Sequence, residues 1–321
     1  MALRALAVAA ALAAAPLSAR ADPIELKLGH VGEPGSLFAL SSAEFARVAN
    51  AKLGGKARVV VYGSSQLGGD KELLQKLKLG TVDLALPSTV MSSEVDQFGL
   101  FEMPYLVRDR EQMKRIEKDV LWPTLVPAAE KRGYRILAIW ENGFRQITNN
   151  KHPIRVPADL KGIKLRVPEG KWRVEMFKAY GASPSPMKLS EVFVALQTGV
   201  MDGQENPLTQ TWSARFQEVQ KFLSLSSHVY TPAYLTSGAK RFATLPKDVQ
   251  EALEAAAKET QPFVYETAAT QDRELLGKFK AAGLQVNEVD REAFQRASQP
   301  VYDAFGSQVP HGKDLIERAR R

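Results

Sequence analysis

The 321-residue chain contains no cysteine, which excludes disulfides, thiolate metal sites and cysteine nucleophiles together. Histidine is scarce too. The four present are scattered without the spacing zinc ligands need, and neither a His-Glu-x-x-His helix nor a Gly-x-Ser-x-Gly elbow occurs. No basic run interleaved with aromatics is found, so nucleic acid is not an expected partner. Beyond the first 21 residues no apolar stretch approaches the length that spans a bilayer. What remains is ordinary globular composition, 45% hydrophobic and 25% charged, in a chain long enough for two lobes. That size lets a protein without cross-links rest on its core alone.

The N-terminus reads as an address. Arg4 precedes the apolar run Ala5 to Ala15, and Ala19-Arg20-Ala21 supplies a small-x-small cleavage site, the pattern of a secretory signal peptide over residues 1–21. Cleavage there removes two of 43 basic and none of 36 acidic residues, taking the net charge from +7 to +5 (41 − 36). A modest positive charge favours solubility and attracts anionic ligands.

Ile24 to His30 alternates as a strand, and Ser41 with Glu44 forms a capping box opening a helix that stops at Gly54-Gly55. Arg58 to Tyr62 is β-branched and predicts a buried strand. After the turn Gly63 to Gly69, Leu73, Leu74 and Leu77 lie on one helical face that ends at Gly80, and Asp83 to Leu86 is a third strand. This alternation predicts an α/β lobe with a largely parallel sheet. Gly68-Gly69-Asp70-Lys71 lacks the Gly-Lys-Ser/Thr of a phosphate loop and reads as turn chemistry. Phe98 to Val107 reads as a loop, and Glu111 to Arg132 as helix in two pieces broken at Pro123.

Tyr134 to Trp140 and Gln146 to Thr148 predict two strands, with the chain crossing to a second lobe near Asn142, where a few terminal residues act as a hinge. In that lobe Ile163, Leu165 and Val167 alternate with Lys164 and Arg166, a short strand whose pleat sets Arg166 opposite the apolar residues. Trp172, Met176, Phe177 and Tyr180 fall at helical spacing, and Ser190 opens another helix. Asp202 to Pro207 reads as a polar turn rich in hydrogen-bonding side chains. Trp212 to Phe222 reads as helix, and Ser227 to Tyr230 as a strand returning to the first lobe. Pro246 to Ala282 is nearly unbroken helix, kinked where Pro262 removes a backbone bond. Leu284 to Arg321 predicts one strand and two helices completing the second lobe. On spacing alone, Arg166 is either an anion clamp or a surface arginine paired with a carboxylate.

The text LKGIKLRVPEG, followed by GASPSPMKLSEVFVALQTGVMDGQENPL, resembles the signature of the DctP-type solute receptors of tripartite ATP-independent periplasmic (TRAP) transporters, and VVVYGSSQLGGDKELLQKLKLGTVDLAL matches the same family. The resemblance covers essentially the whole mature chain. It implies an α/β, two-lobed periplasmic binding protein fold with hinge strands and a long kinked helix shared by both lobes. Lobe 1 would comprise residues 22–142 and 232–270, and lobe 2 residues 143–231 and 271–321. It further implies a periplasmic receptor that binds a small-molecule carboxylate and delivers it to the small and large TRAP membrane subunits. No cofactor, metal or nucleic acid takes part, and the family expectation is a monomer.

By the same resemblance Arg166 grips the ligand carboxylate, whose two oxygens a guanidinium fork matches, and Asn206 and Arg145 lie beside it. Arg145 has the alternative of a lobe-stabilising ion pair. Ser88 and Met91 stand where sialate-binding members carry an acidic and a basic ligand residue, which argues against sialate. Leu189 replaces a phenylalanine of some members. Trp172 would stack on an aromatic acid or serve as core, and His228 matches a histidine near the lobe interface or is a satisfied core histidine. Trp140 to Phe144 looks like members that take C4-dicarboxylates, which makes such an acid the favoured ligand, with an aromatic or 2-oxo/2-hydroxy monocarboxylate as alternative. Two competing readings are an exported enzyme acting on an organic acid and a receptor presenting its ligand to a sensor kinase.

Overall fold

The computed structural model describes residues 23–321; the signal peptide expected over Met1 to Ala21 lies outside them. Among the described residues ten strands form one connected sheet: β1 (Ile24–Gly29), β2 (Ala57–Tyr62), β3 (Leu84–Ala85), β4 (Tyr134–Asn149), β5 (Lys164–Val167), β6 (Ser183–Pro186), β7 (Gly203–Pro207), β8 (Phe222–Leu225), β9 (Tyr230–Gly238) and β10 (Gln285–Glu288). The order is β2-β1-β3-β9-β4-β7-β5-β6, with β8 joining β4 to β10. One half belongs to each lobe, and β4 runs through both.

In the first lobe β1 pairs parallel with β2 and β3, as the alternation of strands and helices predicts, and the returning β9 adds antiparallel pairs to β3 and β4. β2 lies at the sheet's end, so only Ala57 and Val59 are buried rather than the whole strand. The first helix, Leu37–Leu53, starts earlier than the Ser41 capping box predicts: Ser36 is the cap, its hydroxyl accepting from the Ala39 N–H at 3.1 Å. Ser41 is buried on the helix face. The helix Asp70–Leu79 ends at Gly80, whose φ of 73° is the left-handed conformation that suits glycine. Residues Asp96–Glu102 form 3₁₀ turns where a loop was expected. Pro123 does not break the following helix in two. It sits within a π-helical stretch, Glu117–Leu125, between the helices Arg110–Ile116 and Val126–Lys131.

The crossing is continuous. β4 does not end near Asn142: it pairs with β9 up to Phe144 and with β7 from Arg145, with register shifts between Ile136 and Ala138 and between Glu141 and Gly143. Gly143 has φ 122°, so the strand bends between lobes without losing its ladder. A second crossing follows at residues 226–230. The third is the 35-residue helix Lys247–Ala281, with Pro262 inside it. It packs on the Leu37–Leu53 helix, and its far end carries Leu275 and Phe279 into a core with Leu208 and Leu223 of the second lobe.

Three further elements depart from the sequence reading. Asp202 to Pro207 is no turn but contains the fully buried strand β7. The helix expected to reach Phe222 stops at Ser213, because Arg215 turns left-handed at φ 59°, and the chain re-enters the sheet as β8. The C-terminal region holds three helices rather than two: Arg291–Ala297, Gln299–Gln308 and Gly312–Arg320. Tyr180 packs edge-on to Phe294, but the last helix returns to the first lobe, where Ala319 O accepts from Gln112 Nε2 at 2.8 Å. The C-terminal region is thus divided between lobes. Among the described residues no helix is long and apolar enough to cross a membrane.

Candidate ligand-binding site

The two lobes face each other across a narrow cleft of about 30 Å³, walled by Val31, Phe38, Pro168 and Leu189 and lined by Asp70, Ser88, Thr89, Asn142, Arg145, Arg166, Asn206 and Gln210. Lys188 and Glu72 form an ion pair between the lobes. Arg166 stands on β5, held between β6 and β7, and is 3% exposed. Its Nε and Nη2 both donate to the Met187 carbonyl, at 2.9 and 2.5 Å. A neutral carbonyl fixes the side chain without cancelling its charge. Burial, and then the neighbouring Arg145, lower its pKa to about 10, so it remains a cation at neutral pH.

Behind it lies a buried ionic network. Glu205 on β7 accepts from Arg145 Nε at 2.5 Å and Nη2 at 3.0 Å, from Arg173 Nη1 at 2.6 Å and, through Oε2, meets His228 Nε2 at 3.0 Å. Arg173 also donates to Glu102 Oε2 at 2.8 Å. Burial works to raise the Glu205 pKa, but the charges of Arg145 and Arg173 hold it well below the usual carboxylate range. Burial drives His228 down to about 4. The network thus balances two guanidinium groups against two carboxylates with His228 neutral, which leaves Arg166 outside that balance, a cation whose nearest carboxyl in the cleft is that of Asp70.

Arg145 therefore has the ion-pair role and also lines the cleft. Its Nη2 donates to Asn206 Oδ1 at 2.9 Å, and Asn206 Nδ2 donates to Gln204 Oε1 at 2.6 Å. Ser88 Oγ donates to the Pro232 carbonyl at 2.6 Å and accepts from Asn142 Nδ2 at 3.2 Å. Two expected site residues are placed elsewhere. His228 is fully buried between Glu205, Ser226 and the Phe177 ring. Trp172 packs edge-on to Phe305 and so closely over Gly99 that a Cβ there would lie 2.4 Å from its Nε1.

The sequence reading missed Asp70, Thr89, Asn142 and Gln210 in the cleft, and Glu205, Arg173 and Glu102 behind it. Arg173 shares a helical face with Met176, Phe177 and Tyr180, and a charge on an apolar face was the available signal. Asp70 hid inside a turn. Burial raises its carboxyl pKa to about 7, against the lowering effect of Arg166. Asp70 Oδ1, Asn142 Oδ1 and Thr89 Oγ1 are buried without a hydrogen-bond partner, and unsatisfied buried polar atoms are costly unless a partner is supplied; the first two can accept, and the threonine hydroxyl can accept or donate.

Comparison with known proteins identifies the family and the fold. Residues 28–308 match the model of the bacterial extracellular solute-binding proteins, family 7. The 2,3-diketo-L-gulonate-binding periplasmic protein YiaO of Escherichia coli is 34% identical over 266 residues, 82% of this chain and 81% of that protein. A TRAP periplasmic solute-binding protein of Polaromonas sp. JS666, bound to D-erythronate, superposes with TM-score 0.88 at 31% identity over 92% of this chain and 98% of its own. Another, from Sulfurospirillum deleyianum with bound succinate, has the same TM-score, identity and coverage. By the family model over residues 28–308 and these relatives, the chain belongs to the DctP family of TRAP-type extracellular solute receptors, which bind small organic acids and are not enzymes.

Proposed function

We propose that this receptor takes a small hydroxylated monocarboxylate, of aldonate type, in preference to a C4-dicarboxylate. One observation carries the choice: opposite the Arg166 cation, the cleft presents the buried oxygens Asp70 Oδ1, Asn142 Oδ1 and Thr89 Oγ1 without partners. A hydroxyl donates to the Asp70 and Asn142 oxygens, whereas the second carboxylate of a succinate-like acid offers them only acceptors. Arg166 binds the ligand carboxylate and Asn206 adds a donor through its amide; because the cleft as it stands has only about 30 Å³, the lobes part about β4, residues 226–230 and the long helix to admit the acid and close again over it. The receptor, exported by cleavage after Ala21 and acting as a monomer, then hands its ligand to the TRAP membrane subunits.

Calorimetric titration of an aldonate and dicarboxylate panel tests this reading. Hydrogen bonds to charged groups are worth about 1.5–3 kcal/mol each, so Arg166→Lys should weaken the best acid by about 100-fold with the fold intact. Unchanged affinity would remove Arg166 from the contact. Asp70→Ala should weaken hydroxy acids about tenfold and leave succinate no worse; equal losses for both would refute the preference. Light scattering of the purified protein checks the monomer, and small-angle scattering with and without ligand checks closure.

A further inference from the structure

A larger cavity, about 530 Å³, lies on the first lobe away from the cleft, between the π-helical stretch Glu117–Leu125, the outer half of β4 and the long helix. Its size falls within the roughly 300–1,000 Å³ of small-molecule sites. Five consecutive residues, Arg135 to Ile139, line it. Side chains alternate along a strand, so an unbroken run means the strand's edge forms the wall, and here β4 pairs only with β9. The register shift between Ile136 and Ala138 sets Leu137 into this wall. The opposite side carries Trp122, 40% exposed, and Val126. Two backbone irregularities, a π stretch and a bulge, therefore meet at one apolar concavity, and such irregularities gather at functional sites.

The charged groups around it are unevenly paired. Arg135 pairs with Glu254 at 2.8 Å and with Glu130 at 3.3 Å, while Glu117 accepts from Gln261 at 3.0 Å and from Trp122 Nε1 at 3.1 Å. Two donors stay unspent: Arg135 Nε is buried without an acceptor, and Lys258, at the cavity's margin, has no carboxylate partner among the described residues. An apolar body with an anionic head matches that arrangement.

We propose that this cavity is a second binding site, separate from the cleft, for an amphiphilic organic anion whose ring or chain packs on Trp122 and Leu137 and whose acid group meets Lys258 and Arg135. The probe is 1-anilinonaphthalene-8-sulfonate, titrated into the purified mature protein with circular dichroism confirming the native fold. Saturable fluorescence at one dye per chain is expected. Trp122→Ala and Lys258→Glu, both at exposed positions, should each weaken it about tenfold without changing calorimetric binding of the cleft acid, and Arg166→Lys should leave dye binding intact. The proposal is overturned if no saturable binding occurs, if neither Trp122→Ala nor Lys258→Glu weakens it, or if Arg166→Lys or the cleft acid abolishes it, which would put the dye in the cleft.

Discussion

Replacing Glu205 by glutamine is the sharpest test of the ionic network behind the cleft. The side chain stays nearly the same size, so packing is preserved, but the shared anion of Arg145, Arg173 and His228 disappears. Both arginines are at most 2% exposed, and Glu102 alone then balances two guanidinium charges. Breaking a buried pair by removing one partner costs about 3–5 kcal/mol. Unfolding entropy near Tm is about 2.1 cal/mol/K per residue, or roughly 0.6 kcal/mol/K for a chain of about 300 residues, so Tm should fall by about 5–8 °C. The control is Glu218→Gln. Its pair with Arg215 has the same kind of contact, 2.7 Å, but lies on the surface with side chains 43% and 68% exposed, where ion pairs contribute little, and Tm should not move measurably. Differential scanning calorimetry on both variants decides it. A drop below about 2 °C for Glu205→Gln, or equal drops for both, would refute the argument that burial makes this network structural.

Acid should destabilise the fold through the same network. His228 titrates near 4 when folded, because of burial, and near 6.5 unfolded; its contribution is complete above about pH 6.5 and is lost as pH falls through 4, with Glu205 acting in the same direction. Urea midpoints should decline from pH 7 to 4, and His228→Gln should flatten that slope; an invariant wild-type midpoint would contradict this. Lys188→Ala should weaken ligand binding by about threefold at low salt and hardly at all in 0.5 M salt, since the Glu72 pair between the lobes is more than a third exposed and screened; titrations at two ionic strengths measure it. Gly203→Ala should destabilise by about 1–3 kcal/mol, because its Cβ would sit 2.2 Å from the Thr148 carbonyl, and an unchanged urea midpoint would show that β4 and β7 can part there.

Local pattern determined much of this protein. The apolar alternation around Arg166 makes a strand whatever its neighbours are, Gly80 and Gly181 stop helices because they take positive φ, and the long run before Ala282 is helical throughout. Even the arginine that lines the cleft was legible, since a charge alternating with apolar residues on a short strand must face away from them. The rest was decided by groups distant in the chain. Gly203 to Pro207 looks like a solvated turn because its side chains are polar, yet it is buried, since Arg145, Arg173, Thr148 and His228 arrive from other elements to satisfy them. The same holds for Asp70, an ordinary turn residue by sequence that the fold buries near Arg166, and for His228 and Trp172, which tertiary packing draws into the core. Periodicity records which face of an element is apolar. Whether a polar face ends in water or among buried partners depends on contacts 23 to 71 residues away, and only the folded chain brings those together.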